Sequence, residues 1–305
     1  MEKREQENLL KNYIDLIRPF TLLAPIIVSS CIMIASYFNN NFMGDLSSIW
    51  WKTIVPASFA LAILNGASNT LNQVTDIKTD KISKPYRPLV RGNIPIKKAL
   101  IVSIVLYSIA IVISIFINPM FCFLVLLISF FSITYSIPPR FKDMLFVNQL
   151  WIAIPRGLLG ILASWSVFGS PINPLPLTIG LIAMCFLVGG SITKDIFDND
   201  ADKKTGTRTL VNTFGVKKAA TFSLPFMVFP FCYIPMLIHS GILDSYFWVL
   251  TLLAIPAFLI FYLMIKEDRK VGFLENTPSW TLMYVTYFVF AFGFSVLTVF
   301  GSIAS

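Results

Sequence analysis

The chain has 305 residues, of which 56% are hydrophobic and only 13% charged, with a mean hydropathy of +0.74. Soluble domains carry about 25% charged residues, so the composition excludes a pair of water-soluble domains and points to an all-α polytopic membrane protein. A net charge of +8 invites a nucleic-acid reading only until the charges are placed.

Apolar runs of roughly 20 residues can span a bilayer, and nine are present, near 20–38, 51–72, 99–117, 119–136, 147–168, 175–194, 217–239, 246–265 and 280–303. Asn118-Pro119 alone separates the third run from the fourth, a tight turn between antiparallel helices. Of the 24 Lys and Arg, all but Lys52 and Arg156 fall in the N-terminal segment or after runs two, four, six and eight, the last group being Lys266, Arg269 and Lys270. With nine spans those positions share one side, which the positive-inside rule makes cytoplasmic, N-terminus in and C-terminus out. The basic excess is therefore a signal of topology and of anion binding in a cytoplasmic membrane, not of nucleic acid. Cys31, Cys122, Cys185 and Cys232 sit far apart inside apolar runs and read as small hydrophobes. With a single histidine, His239, no Ser/His/Asp or Cys/His set can gather on one side, which excludes the common hydrolases.

The second run ends in a polar stripe. Asn72, Asp76 and Asp80 recur every four residues, and Asn65, Ser68 and Asn69 continue their face into the apolar segment. Such a stripe must face a cavity or another polar helix, because lipid would leave it unsatisfied. Of 16 Asp and Glu, six lie in two stretches, the second holding Asp195, Asp198, Asp200 and Asp202 after run six. The stretches match: Asp80-Lys81 leads to Arg87-Pro-Leu-Val, and Asp202-Lys203 leads to Arg208-Thr-Leu-Val, with the Asp pairs offset by 122 residues. This is read as an internal duplication, with repeats near 17–138 and 146–265 and a last helix at 280–303, all within one domain spanning 1–305.

Carboxylates four apart, facing a second such pair, suit hard divalent cations. Mg²⁺ takes one or two carboxylates together with substrate phosphates, and the stretch from Asn72 to Asp80 spans about 12 Å, too far for one ion. Two or more ions bridged by a polyphosphate would use the whole stripe. Lys84, Arg87 and Arg91 beside the first, and Lys194, Lys203 and Arg208 beside the second, would hold outer phosphate oxygens. A departing diphosphate in a Phe-rich membrane interior (28 Phe in all) suggests an isoprenoid donor, ionising to an allylic cation that must be shielded from water.

Asn72-x-x-x-Asp76-x-x-x-Asp80 followed by Lys84-Pro-Tyr-Arg87-Pro and Gly92 resembles the first signature of the UbiA superfamily of intramembrane prenyltransferases. Lys194-Asp195-x-x-Asp198-x-x-x-Asp202, then Gly206-x-Arg208-Thr209-Leu210, resembles its second, and Arg18-Pro19 and Tyr135-Ser136-x-Pro138-Pro139 are similar to further family features. The resemblance implies nine helices around a central cavity, open laterally to lipid and capped by the 2–3 and 6–7 loops. It further implies Mg²⁺ held by Asn72, Asp76, Asp198 and Asp202, with Asp80 and nearby cations supporting the diphosphate. One departure is that the family's Tyr-x-x-x-Lys has Pro139 at its last position, leaving either Arg140 or Lys142 to contact the diphosphate. Asn65, Asn69, Arg18, Tyr135, Asp195 and Arg156 are candidate substrate contacts, Arg156 because an arginine ten residues into a span usually faces a cavity.

The expected function is transfer of a prenyl group, for example geranylgeranyl, from its diphosphate to a lipophilic acceptor, either an aromatic quinone precursor or a glycerophosphate lipid. No required protein partner is evident in the sequence, and the expected cofactor is Mg²⁺. The competing readings are an ion-coupled transporter, whose site would lie near the midplane, and a non-catalytic relative.

Overall fold

The computed structural model describes residues 2–42, 44–266 and 277–304, with side chains from Leu9 onward. Arg269 and Lys270, counted above among the cytoplasmic cations, lie outside the described residues, as do the side chains of Lys3 and Arg4.

Apolar segments in lipid must satisfy their own backbone groups, and the described residues form helices and no strand. Helix α1 (Glu2–Ile17) leads through a 3-10 turn into α2 (Leu23–Asn39), and the short α3 (Leu46–Ile49) runs through a π-helical turn into α4 (Val55–Thr75). After α5 (Ile77–Ser83), α6 (Ile96–Ile117) and α7 (Pro119–Ser136) form a hairpin. Asn118 makes that corner: its side chain accepts from the Phe121 N–H at 2.7 Å and donates to the Ser166 carbonyl at 2.9 Å. Pro119 fills the first helical position, where a missing N–H costs nothing. Next, α8 (Val147–Ala153), a π-helical segment Ile154–Leu159 and α9 (Gly160–Trp165) make one continuous rod. The chain then runs through α10 (Pro174–Gly190), α11 (Ile192–Thr205), α12 (Leu210–Phe214), α13 (Val216–Cys232), α14 (Ile234–His239), α15 (Ala254–Lys266) and α16 (Pro278–Ala304).

Among the described residues, eight helical stretches are long and apolar enough to cross a membrane. The ninth expected span, 147–168, is the α8–α9 rod. It ends at Trp165, and Asn148, Gln149 and Arg156 make it less apolar than the others. Contacts run from α2 to α4, α6, α7, the α8–α9 rod, α10, α13, α15, α16 and back to α2, so the nine rods close a ring. Inside it, α9 reaches across to α2, where Ser36 Oγ donates to the Trp165 carbonyl at 2.8 Å, and the fully buried Trp165 plugs that end. The outer surface is apolar (Phe116 is 83% exposed, Ile303 72% and Trp51 69%), a surface built for lipid rather than water.

Three expected helices differ in detail. The helix of run two does not continue through Asp80: it breaks at Asp76, and α5 starts afresh at Ile77. Run seven divides at Tyr233, ahead of Pro235, and run eight begins as a 3-10 stretch, Ser245–Leu253. Close approaches hold the ring. A Cβ on Gly157 would lie 2.6 Å from backbone atoms of Met184 on α10, which cannot swing aside. Gly157→Ala is expected to destabilise by about 1–3 kcal/mol, the cost of overpacking, read as a lowered Tm in detergent.

Candidate active site

The ring encloses a cavity of about 310 Å³, in the range of small-molecule sites. Helices α5 and α11, carrying the two acidic stretches, pack against each other over it, and Thr79 Oγ1 donates to Thr205 Oγ1 at 3.2 Å. Their side chains meet as well: Lys84 Nζ, from the first stretch, lies 2.5 Å from Asp198 Oδ1 of the second. Asn72, Asp76, Asp80, Asp195, Asp198 and Asp202 all line this one cavity.

Each cluster is built by a helix end. At Asp76 the backbone turns out of helical geometry (φ −105°, ψ 13°), yet the Asp76 N–H still donates to the Asn72 carbonyl at 2.9 Å and the Asp80 N–H to the Asp76 carbonyl at 2.8 Å. The chain bends while every fourth side chain stays on the cavity side. On α11, Asp195, Asp198 and Asp202 follow i, i+3, i+7 and share one face. Gly206, with φ +82°, ends that helix as only glycine does readily.

Most of the carboxylates are held by cations of the same cavity. Asp76 pairs with Lys142 and with Arg140 Nη2, the latter at 2.9 Å. Asp80 pairs with Arg87, both nearly buried. Asp195 lies 3.2 Å from Lys194 Nζ and accepts from Gln149 Nε2 at 3.4 Å. Lys194 in turn donates to the Tyr135 hydroxyl at 2.9 Å, which donates to Asn148 Oδ1 at 3.1 Å, and Ser136 donates to Asn72 Oδ1 at 3.2 Å. Burial pushes the Asp80 carboxyl above its usual range, against the opposing pull of Arg87 and Lys84. Burial pulls the Lys142 ammonium down, and the adjacent Asp76 opposes that shift.

Of the two cations near Pro139, both reach Asp76, but Lys142 lines the main cavity and Arg140 lines a separate pocket beside it. Arg91, Lys203 and Arg208, expected as diphosphate contacts, are exposed and do not line the cavity. Lys203 is one residue from Asp202, a turn of about 100° around the helix. Around Thr209 the backbone is extended, so alternate side chains point opposite ways: Thr207 and Thr209 face the cavity and Arg208 faces out. Arg91 ends a surface turn just before Gly92.

Asn65 and Asn69 line the cavity, but their amides serve the chain itself: Asn65 Nδ2 donates to the Thr21 carbonyl at 3.1 Å, and Asn69 Nδ2 to Thr21 Oγ1 at 2.7 Å. They fix the segment that carries Arg18, also on the cavity wall. Arg156 sits on the π-helical segment and lines the cavity from the side of the rod. Residues that sequence reasoning missed are Thr79, Thr207 and Thr209, the aromatic wall of Trp151, Trp280, Tyr284 and Tyr287, and the pair Asn148 and Gln149. Only Asn148-Gln149, polar residues inside an apolar run, carried a signal of the kind used for Asn65.

A model of the UbiA prenyltransferase family matches residues 31–273. The chain belongs to the UbiA prenyltransferase family. It is an integral membrane enzyme of the prenyltransferase class, similar at 26% identity, over 92% of its own length and 98% of the relative's, to a digeranylgeranylglyceryl phosphate synthase of Methanosphaera stadtmanae. A protein of the same name from Methanococcus aeolicus is 32% identical over 68% of this chain and 69% of its own. Among solved structures, a UbiA homologue from Archaeoglobus fulgidus bound to DMAPP and Mg²⁺ shares the fold, with a TM-score of 0.67 at 20% identity, covering 96% of this chain and 99% of that one. The helical ring of the present chain is thus a fold shared with that structure.

Proposed function

We propose that this UbiA-family enzyme transfers a prenyl group, geranylgeranyl in the first instance, from its diphosphate to the hydroxyl of a glycerophosphate lipid, with Mg²⁺ as cofactor. The observation that carries this is the meeting of the two acidic helices over one cavity, bridged by Lys84 and Asp198. The acceptor follows from the relatives, which are named digeranylgeranylglyceryl phosphate synthases.

The donor set fits the metal. Every candidate ligand is an oxygen (Asn72, Asp76, Asp198 and Asp202), as a hard cation requires. Among the described residues no three acids, histidines or cysteines are gathered closely enough to hold an ion by themselves, which suits an ion completed by substrate phosphates. When bound, Mg²⁺ supplies Lewis-acid stabilisation of the diphosphate leaving group. Lys84, Arg87, Lys142 and Lys194 neutralise the carboxylates now and stand where a diphosphate's outer oxygens would be taken up. Loss of diphosphate leaves an allylic cation at C1 of the prenyl chain. The rings of Trp151, Trp280 and Tyr284 supply π-faces to it, and the plugged ring keeps water away. The acceptor oxygen attacks C1, the C1–O bond to diphosphate having broken, and the acceptor's hydroxyl proton passes to the released diphosphate as the new C–O bond forms. The dense Lys and Arg beside both clusters support a cytoplasmic position for this end of the cavity, with the N-terminus on the same side.

Purified protein given labelled geranylgeranyl diphosphate, Mg²⁺ and a panel of geranylgeranylglyceryl phosphate and hydroxybenzoate should label the glycerophosphate alone, and chelation with EDTA should abolish turnover until Mg²⁺ is restored. Transfer only to the aromatic acceptor, or full turnover in EDTA, would overturn this reading.

A further inference from the structure

The cavity's cations are not alike. Lys84, Arg87, Lys142 and Lys194 are each paired with a carboxylate of the two clusters. Among the described residues Arg156 has no carboxylate within ion-pair distance: its Nη1 donates to the neutral Tyr284 hydroxyl at 2.8 Å. An arginine within a membrane-spanning rod and lacking a counter-ion is costly, and this one is exposed to the cavity that it lines.

Its placement is built. The π-helical segment Ile154–Leu159 carries it, a distortion found mostly at functional positions. The Tyr287 hydroxyl donates to the Arg156 carbonyl at 2.9 Å and ties that turn to α16. Tyr284 steadies the guanidinium and is itself backed by Trp280, ring centroids 4.5 Å apart. Gly157 locks the same turn against α10. Tyr284 occupies one of five guanidinium N–H donors, leaving a fork suited to a phosphate. Gln149, which reaches Asp195, lies seven positions earlier, about 10 Å along the rod. Arg156 therefore stands apart from the diphosphate end, among the apolar Ile152, Pro155 and Met283.

We propose that Arg156 and the Tyr284 hydroxyl form the subsite for the phosphate monoester of the acceptor and set acceptor specificity, with the lipid tail covered by the apolar wall around them. This rests on the glycerophosphate reading of the acceptor and deepens it. The ligand class is an amphiphile with a dianionic phosphate head and a free hydroxyl close to that head.

The test compares geranylgeranylglyceryl phosphate with its dephosphorylated alcohol, in full-length wild type, Arg156→Gln, Arg156→Lys and Tyr284→Phe. Wild type should prefer the phosphate. Arg156→Gln should raise the acceptor KM by roughly 10- to 100-fold, as for loss of charge-assisted hydrogen bonds, with donor KM unchanged within about twofold and the preference for phosphate lost. Arg156→Lys should recover part of the preference, and Tyr284→Phe should raise acceptor KM several-fold, which keeps the test open if Arg156→Gln does not fold. An unchanged phosphate preference in the variants of an enzyme that does use the glycerophosphate overturns the subsite alone, as does an equal rise in both KM values. A wild type that ignores the glycerophosphate overturns the acceptor reading itself.

Discussion

Asp76→Ala and Asp198→Ala are each expected to lower kcat/KM by at least about 10²-fold, the range seen when one preorganised electrostatic group is lost from a charged transition state. The two losses should resemble each other because the residues occupy equivalent places on two helices that close over one cavity. Diphosphate departure concentrates negative charge between the clusters, so removing either half removes stabilisation where the charge develops. Alanine also strands partner cations: Lys142 loses Asp76 and Lys84 loses Asp198, whereas Arg140 keeps Asp143. Asp76→Asn and Asp198→Asn separate the two effects, since the amide keeps the shape and an acceptor oxygen for the cation while losing the charge. The asparagine variants should fold as wild type and remain as inactive as the alanines, measured by labelled-donor turnover and by Tm.

Arg87→Met should destabilise the protein by about 3–5 kcal/mol, because it leaves a buried carboxylate unpaired. Asp80 and Arg87 are 5% and 11% exposed at their side chains, so neither charge is solvated by bulk water. Asp80 is already pushed upward by burial, and Arg87 is the largest influence opposing that shift. A carboxyl whose folded pKa exceeds its unfolded value binds a proton more readily when folded, so the stability of the variant should rise as pH falls toward that value. Asp80→Asn combined with Arg87→Met removes the stranded charge and should recover most of the stability but not the activity. Chemical denaturation of the single and double variants at pH 8 and pH 5.5 checks both statements. A single variant as stable as wild type at pH 8 would show that Asp80 is hydrated.

How much of this could be read from the chain depends on which residues are asked. Spacing by four placed Asn72, Asp76 and Asp80 on one side of the second run, and they do line the cavity, although the helix breaks at Asp76. The break was invisible because it leaves the i to i−4 backbone bonds in place. The nine runs were legible from apolar length alone, with the α8–α9 rod the weakest because Asn148, Gln149 and Arg156 interrupt it. Adjacency of charge misled for Arg91, Lys203 and Arg208. Proximity in sequence carries no direction, and a helix turn or one extended residue is enough to point a side chain outward. Tyr284 and Tyr287 could not be distinguished from ordinary packing aromatics, since only the folded ring brings α16 against the turn at Arg156. The pairing of particular carboxylates with particular cations was equally out of reach. It joins residues as distant as Lys84 and Asp198, and charge counting shows only a net basic excess.

The central claim is that the two acidic helices form one site, which binds metal and diphosphate jointly. Electron paramagnetic resonance of the purified protein with Mn²⁺ and a non-ionising geranylgeranyl thiodiphosphate tests it most directly. Two spin-coupled Mn²⁺ ions are expected in wild type, with the coupled pair and the analogue's affinity both lost in Asp76→Ala and in Asp198→Ala. A coupled pair that survives intact in either variant would contradict it.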